Sequence, residues 1–256
     1  CIRDSTSNEW STFIFFMLLT LIIVFIAEVM HRKEYLSSYS TRNIVHLIVG
    51  VYSSLSPFFF KYNHYPILIA ILFLFLNIIS HQYISLKSLH SEDRETFGTI
   101  YFPLAYLILV AGFWEYPEFL IMSILTLAIA DPAASQVGNS VKSPNYFSVW
   151  RDEKTIQGTI AFFLFTNFII IIVGNLLLEF SLILIFVFSL FVSTGATIAE
   201  SVSYKGTDNL SIPIISILFM IGFFEIFQDP FYINLNTVSY DLSLIHISEP
   251  TRPFHI

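Results

Sequence analysis

The stretch EFLIMSILTLAIADPAASQVG, residues 118–138, decides the fold of this protein. From Leu120 to Ala130 it is apolar except for Ser123 and Thr126, and the apolar run ends at Asp131. An apolar segment of about 20 residues is long enough for an α-helix to cross a bilayer. We therefore predict a membrane-spanning helix over residues 118–137, with a carboxylate near one end.

The rest of the chain has the same character. Of the 256 residues, 55% are hydrophobic and 12% are charged, whereas a soluble domain carries about 25% charged residues. No apolar segment shows the alternation of period two that a membrane β-barrel requires. We predict an all-α, polytopic membrane protein with about seven to eight transmembrane helices. The apolar runs lie roughly at 10–30, 44–60, 65–80, 98–114, 118–137, 157–178, 180–200 and 211–227.

Charge and cysteine content argue against other classes. The net charge of -7 and the lack of a basic stripe argue against a nucleic-acid partner. Cys1 is the single cysteine, so the sequence predicts neither a disulfide framework nor a cysteine zinc site. The histidines show no metal-ligand spacing on a shared helix.

The lysines and arginines predict the orientation, because cytoplasmic loops of membrane proteins are enriched in both. With the N-terminus placed outside, the outer face receives Lys61 alone, and Arg3 and Arg252 fall near the two ends. We expect an integral protein of the cell (inner) membrane with its polar loops in the cytoplasm. The residues assigned to the cytoplasmic face are Arg32, Lys33, Arg42, Lys87, Arg94, Lys142, Arg151, Lys154 and Lys205.

The two ends of the sequence differ from the rest. Residues 1–5, CIRDS, and residues 241–256, DLSLIHISEPTRPFHI, resemble translated sequencing-adapter read-through. We expect both to be non-native, and we assign a single integral-membrane domain to residues 6–240.

Asp131 begins the first of four polar clusters that lie at the ends of apolar segments. Asp131, Ala134 and Gly138 recur at spacings of three and four, so they share one helical face. One interpretation is a carboxylate that holds Mg²⁺ or orients a nucleophile, beside small residues that let a phosphate approach. The alternative is an acidic cap before Pro132, with small residues that allow close helix packing.

Glu200 and the loop KGTDN at residues 205–209 form a second cluster. Asp208 and Asn209 offer hard oxygens to a Mg²⁺-bound nucleotide, and Lys205 offers a phosphate contact. Glu200 ends the apolar span upstream and can add another carboxylate. The alternative is an ordinary turn with an N-cap before the next helix.

The other two clusters are basic. Lys154 and Gly158 flank the start of a span, where free backbone N–H groups suit a phosphate, although the P-loop spacing is absent. Arg42 and His46 lie one turn apart and are able to bind phosphate, while a histidine inside a span also serves helix–helix hydrogen bonding. Because all four clusters fall on one side of the membrane and carry both signs of charge, we expect them to meet in one site.

In order and approximate spacing, the clusters resemble the motifs of the CTP-dependent polyprenol kinase family, which includes dolichol kinases, phytol kinases and the CTP-using diacylglycerol kinases of yeasts. The resemblance extends over residues 42–213, and the stretch GTIYFP at 98–103 also resembles sequences of this family. The matching residues are Arg42-Asn43 with His46, Asp131-Pro132-Ala133-Ala134 with Gly138, Lys154-Thr155-Ile156-Gln157-Gly158-Thr159, and Glu200 with Gly206-Thr207-Asp208-Asn209-Leu210-Ser211-Ile212-Pro213.

The resemblance implies a lipid kinase that uses CTP and Mg²⁺. The acceptor would be the hydroxyl of a membrane lipid alcohol, such as phytol, dolichol, another polyprenol or diacylglycerol. The resemblance implies catalytic roles for Asp131, Asp208 and Lys154, and metal ligation by Asp131, Glu200 and Asp208. The residues expected to bind the nucleotide and its phosphates are Arg42, His46, Gly138, Gly158, Thr159, Lys205, Gly206 and Asn209.

Two positions depart from the family pattern. Asn43 stands where the family usually has lysine, and Gln157 stands where it usually has glutamate. Each departure removes a charge, and glutamine cannot act as a base at pH 7. The departures therefore bear on catalytic competence or on the choice of nucleotide.

Two other functions are compatible with the sequence. A phosphatidate cytidylyltransferase uses the same classes of reactant and produces a CDP-lipid, but its usual C-terminal signature with Gly-His-Gly-Gly is absent here. A transporter or a membrane scaffold is the third possibility. Against it, the charges gather at one face and not at the midplane of broken helices.

Overall fold

The computed structural model describes residues 6–83, 97–149 and 152–226. Over these ranges the chain is almost entirely helical, which confirms the helical prediction. The α-helices are α1 (Thr6–Arg32), α2 (Ser38–Ser54), α3 (Ser56–Phe59), α4 (His64–Tyr83), α5 (Gly98–Gly112), α6 (Pro117–Leu125), α7 (Asp131–Ser140), α8 (Ile156–Leu177), α9 (Leu182–Val202) and α10 (Asp208–Ile226). The end segments 1–5 and 241–256, residues 227–240, and the basic residues Lys87, Arg94 and Arg151 lie outside the described residues.

Several of these helices have the length and the composition of membrane spans. Among the described residues, five helical stretches are long and apolar enough to cross a membrane: Glu9–Arg32, Pro117–Ser140, Ile156–Leu177, Leu182–Val202 and Asp208–Ile226. Two shorter apolar helices, His64–Ser80 and Gly98–Gly112, accompany them. A polytopic membrane protein is therefore supported, while the predicted total of spans is only partly confirmed.

The run predicted at 44–60 differs most from the observed helices. Helix α2 begins earlier, at Ser38, because the Ser37 hydroxyl caps it by accepting a 3.1 Å hydrogen bond from the Ser40 N–H. Helix α2 ends at Ser54, and the four-residue helix α3 follows with a proline in its first turn. The run predicted as one helix is therefore divided between α2 and α3, and the first turn of α2 is polar.

A short β-hairpin was not predicted from the sequence. Strand β1 (Tyr146–Ser148) pairs antiparallel with strand β2 (Glu153–Thr155), and Phe147 lies opposite Lys154. Each strand has only three residues and the hairpin lies between two apolar spans, so the long apolar runs of the sequence do not reveal it. It carries Lys154 to the end of the helical bundle, directly before α8.

The stretch 117–140 is one continuous helical run with an irregular middle. Helix α6 passes into a π-helical turn at Thr126–Ala130, and α7 continues from Asp131. Pro132 has no N–H for the carbonyl four residues earlier, and its ring crowds that carbonyl in a regular α-helix. The wider π-helical turn accommodates this proline, and such turns are frequent at functional sites.

The interior of the bundle is packed with aromatic and aliphatic side chains. Helix α9 packs along both α8 and α10, and α7 packs on α8. Phe119, Phe188 and Phe223 are fully buried in the largest hydrophobic cluster. Large apolar side chains on the outside, such as Phe25 and Ile183, are exposed, as lipid-facing positions of a membrane protein would be.

Candidate active site

The four polar clusters meet at one end of the bundle. Asp131, at the start of α7, interacts electrostatically with Asp208, Lys154, Glu200 and Arg42. These five residues come from α7, α10, β2, α9 and α2, so every cluster contributes at least one charge. The structure therefore brings together the charged residues that the sequence motifs singled out.

Lys154 and Glu200 form an ion pair inside this site. The Lys154 Nζ donates to Glu200 Oε1 at 2.6 Å and to Ser203 Oγ at 3.3 Å. The side chains are 19% and 8% exposed, so the pair is largely removed from water. Burial alone would lower the pKa of Lys154, but the carboxylates of Glu200 and Asp208 outweigh it and raise the pKa above its ordinary value. Lys154 is therefore a cation at physiological pH.

The second oxygen of Glu200 lacks a hydrogen-bond partner among the described residues. Glu200 Oε2 is buried and receives no hydrogen bond from the residues that the structure describes. An unpaired buried carboxylate oxygen is costly, and a cation or a water is the usual partner for one. The observation fits a Mg²⁺ ion, which typically uses one or two carboxylates together with substrate phosphates and water.

The predicted set of three carboxylate ligands is not assembled as a ready metal cluster. Within residues 6–83, 97–149 and 152–226, no group of three or more His, Cys, Asp or Glu side chains could hold a metal ion. Asp131, Glu200 and Asp208 interact electrostatically without converging on one point. Mg²⁺ binding therefore stays a prediction, with one or two of these carboxylates as ligands.

The loop before α10 is held in a tight left-handed conformation. Lys205 has a φ angle of 51° and Gly206 has a φ angle of 87°. The Asn209 side-chain amide donates to Asp208 Oδ1 at 2.9 Å and to the Gly206 carbonyl at 3.3 Å. Thr207 Oγ1 accepts the Tyr204 N–H at 2.9 Å. The side-chain amide of Asn209 therefore donates both of these hydrogen bonds within the loop itself. This geometry favours a structural role for Asn209 over the predicted contact with a nucleotide.

The start of the stretch 98–103 packs against this loop. The Phe97 N–H donates to the Lys205 carbonyl at 3.0 Å, immediately before α5 begins. A Cβ placed on Gly206 would lie 2.6 Å from the Gly98 backbone nitrogen, and one placed on Gly98 would lie 2.8 Å from Asn209 Nδ2. Glycine is therefore required at Gly206, where the contact is with backbone, whereas a side chain at Gly98 would displace the Asn209 amide.

Gly138 and Gly158 pack against each other and not against an open cavity. A Cβ on Gly138 would lie 2.5 Å from Thr155 Oγ1, and one on Gly158 would lie 2.7 Å from that oxygen and 3.1 Å from the Ala134 carbonyl. Thr155 Oγ1 also caps α8 by accepting the Gly158 N–H at 3.1 Å. The geometry favours the helix-packing interpretation over direct phosphate contact for both glycines.

His46 also serves helix packing. Its Nε2 donates to the Leu127 carbonyl at 3.3 Å, inside the π-helical turn, and its ring meets Phe102 edge-on with centroids 5.1 Å apart. The helix–helix alternative for His46 is therefore the one that the geometry favours, and its Nε2 is not available to a phosphate. Arg42, one turn earlier, has no ion-pair partner among the described residues.

The two departures from the family pattern occupy different environments. Gln157 Oε1 accepts the Asn145 N–H at 3.1 Å and so closes the base of the hairpin, a bond that a carboxylate oxygen could equally accept. Asn43 Nδ2 is buried and has no hydrogen-bond partner in the described part of the chain. Thr159 Oγ1, also predicted to bind the nucleotide, is buried and unpartnered on the same terms.

Two contributing residues escaped the sequence argument. Ser203 receives the Lys154 ammonium, and Asp152 Oδ2 accepts the Lys205 backbone N–H at 3.0 Å. For Asp152 the available signal was its spacing of two residues from Lys154, because residues two apart in extended backbone share one face and Asp152 directly precedes β2. The strand itself was not predicted, so this spacing had no meaning at the level of sequence.

The fold and the site define a polytopic membrane protein with a mixed-charge site, rich in cations and carboxylates, at one end of its helices. Over 198 residues the chain is 26% identical to a phytol kinase from Synechocystis sp. (strain ATCC 27184 / PCC 6803 / Kazusa), an alignment that covers 77% of this chain and 84% of the relative. The chain is a distant homologue of this phytol kinase, and the resemblance to CTP-dependent polyprenol kinases is confirmed at that level. No family model matches the chain, and no solved structure matches it.

Proposed function

We propose that the protein transfers the γ-phosphoryl group of CTP to the hydroxyl of a lipid alcohol at the cytoplasmic face of the membrane. The observation that carries the proposal is the meeting of Arg42, Asp131, Lys154, Glu200 and Asp208 at one end of an apolar helical bundle. The distant homology supports a polyprenol-type lipid kinase, and the relative's own activity makes phytol the first acceptor to examine.

The charges suit phosphoryl transfer, which depends mainly on positioning and on neutralising the phosphate charge. Arg42 and Lys154 are the cations that would face the triphosphate, and Arg42 has no competing ion pair among the described residues. Asp131 would orient the lipid hydroxyl. The hydroxyl oxygen forms a bond to the γ-phosphorus, the bond to the β-phosphate oxygen breaks, and CDP and a proton leave.

A metal ion fits this donor set within limits. Mg²⁺ would be held by one or two of Asp131, Glu200 and Asp208 together with nucleotide phosphates, and Glu200 Oε2 is the unpartnered atom that would accept it. When bound, such an ion neutralises phosphate charge.

The lipid would reach the site sideways from the bilayer. The helices that surround the site expose large apolar side chains on their outer surfaces, including Ile160 and Ile198. An isoprenoid chain or an acyl chain can lie along such a surface while its hydroxyl remains at the membrane boundary.

The decisive experiment is label transfer in membranes that contain the full chain. γ-Labelled CTP and ATP are offered with phytol, farnesol, a long polyprenol and diacylglycerol, and α-labelled CTP is run in parallel. We expect γ-label from CTP in one lipid class, and none from α-labelled CTP. Label from α-labelled CTP in the lipid would instead indicate cytidylyl transfer, and transfer from neither nucleotide by an inserted protein would refute the proposal.

Asp131→Asn provides the matched variant. It keeps the shape of the side chain and removes its charge, so the helix should remain folded and inserted. We expect γ-label transfer to fall by about two orders of magnitude or more. A fully active Asp131→Asn protein would contradict the role assigned to this carboxylate.

A further inference from the structure

We infer that Asp152 is a positioning residue that holds the loop 204–209 in the conformation that receives the nucleotide. The inference rests on the proposed function, because that proposal places Lys205 and Asp208 beside the phosphates. Asp152 directly precedes β2, and its Oδ2 accepts a 3.0 Å hydrogen bond from the Lys205 backbone N–H. The bond joins the hairpin to the α9–α10 loop, two parts of the chain that are far apart in sequence.

The bond acts on a constrained peptide of the loop. Lys205 lies at a φ angle of 51°, a region that residues with a Cβ seldom adopt. Its N–H is held by Asp152, and its carbonyl is held by the Phe97 N–H at 3.0 Å. Such conformations persist where the surroundings fix them from several sides. Asp152 supplies one of these restraints.

The chemistry and the placement of Asp152 strengthen this restraint. A hydrogen bond to a carboxylate is roughly twice as strong as one between neutral groups. Lys154, two residues further on in the same hairpin, donates hydrogen bonds to Glu200 and Ser203, which directly precede the loop. Glu153 lies between these two residues and is exposed. Asp152 and Lys154 therefore fix the hairpin to the loop, whereas Glu153 serves as a comparison residue of the same charge as Asp152.

Loss of the restraint should affect nucleotide binding more than turnover. Without Asp152 the loop would occupy other conformations, and the apparent affinity would fall in proportion to the competent fraction. Saturating nucleotide would still select the competent loop. We expect Asp152→Ala to raise the KM for the nucleotide about tenfold or more, with kcat and the KM for the lipid within about twofold of the wild type.

Two companion variants, each in the full chain in membranes, separate this role from a general structural one. Asp152→Asn keeps a side-chain oxygen that can accept the Lys205 N–H, so its nucleotide KM should return to within about threefold of the wild type. Glu153→Ala removes the neighbouring exposed carboxylate and should behave as the wild type. A wild-type KM in Asp152→Ala, an Asp152→Asn protein as impaired as Asp152→Ala, or a loss confined to kcat would overturn the inference.

Hydrogen exchange distinguishes failure of the inference from failure of the proposed function. In detergent-solubilised protein, amides of residues 204–209 should exchange faster in Asp152→Ala than in the wild type or in Glu153→Ala. A wild type that transfers no phosphoryl group would defeat the proposed function. Faster exchange in Asp152→Ala would support the positioning role in that case as well, and unchanged exchange would refute it.

Discussion

Replacing Gly206 by alanine should disable the loop before α10. Gly206 lies at a φ angle of 87°, where only glycine is unstrained. A Cβ at this position would lie 2.6 Å from the backbone nitrogen and 2.9 Å from the Cα of Gly98. Both atoms belong to the backbone at the start of α5, so neither can move aside as the end of a flexible side chain would.

The size of the effect follows from these two costs. A left-handed conformation costs a residue with a Cβ about 1–2 kcal/mol. Forcing an extra methyl group into a filled space costs about 1–3 kcal/mol more. The sum is about 2–5 kcal/mol, and about 1.4 kcal/mol corresponds to a factor of ten. We therefore expect Gly206→Ala to lower phosphoryl transfer by about thirtyfold or more.

Gly222→Ala is the control for Gly206→Ala. Within the described part of the chain, no atom outside its own local backbone lies within 4 Å of a Cβ at Gly222, which lies inside α10. Alanine is favoured over glycine in a helix by about 1 kcal/mol, so the variant should be at least as stable as the wild type. Transfer of γ-label and thermal melting in detergent are measured for both variants. The reasoning is wrong if Gly206→Ala retains the activity of Gly222→Ala.

Two further substitutions test the neighbouring contacts. Gly158→Ala should lower the melting temperature of the solubilised protein by several degrees, because the new Cβ would lie 3.1 Å from a backbone carbonyl of α7. Gly174→Ala is the control. Among the described residues its Cβ would meet side-chain atoms at 3.7 Å or more, so this variant should melt at the temperature of the wild type. Equal melting of the two would contradict the packing assignment. Gln157→Glu should change transfer by less than about threefold, because a carboxylate oxygen can accept the same Asn145 N–H. A large gain in transfer would instead place this side chain in the phosphate site.

The helical spans were the most predictable part of the fold. Apolar runs such as 157–178 and 180–200 match α8 (Ile156–Leu177) and α9 (Leu182–Val202) closely. Hydropathy is a property of contiguous residues, and lipid requires the backbone to satisfy its own hydrogen bonds, so long apolar runs form helices. The early start of α2 was missed because it depends on a single serine cap, and the division of the run at 44–60 was missed because it occurs within an apolar run, at a proline in the first turn of α3.

The charged residues of the candidate site were predicted to lie together, and the roles assigned to them stay predictions. The sequence motifs placed Asp131, Lys154, Glu200 and Asp208 in one site, and the structure brings their charges together. The sequence could not separate a phosphate contact from a packing contact for a small or polar residue. His46, for example, donates a hydrogen bond to the Leu127 carbonyl. This contact becomes evident only when the neighbouring π-helical turn is in place.

By itself, the sequence determined that this protein is a helical membrane protein with charged clusters at one boundary, since composition and local hydropathy are enough for both. Only the tertiary structure decided which groups pair. Lys154 meets Glu200, and Asp152 holds the Lys205 backbone, because a short hairpin folds onto the loop between α9 and α10. Such pairings join residues distant in the chain, and they depend on how the helices pack, which no local pattern encodes.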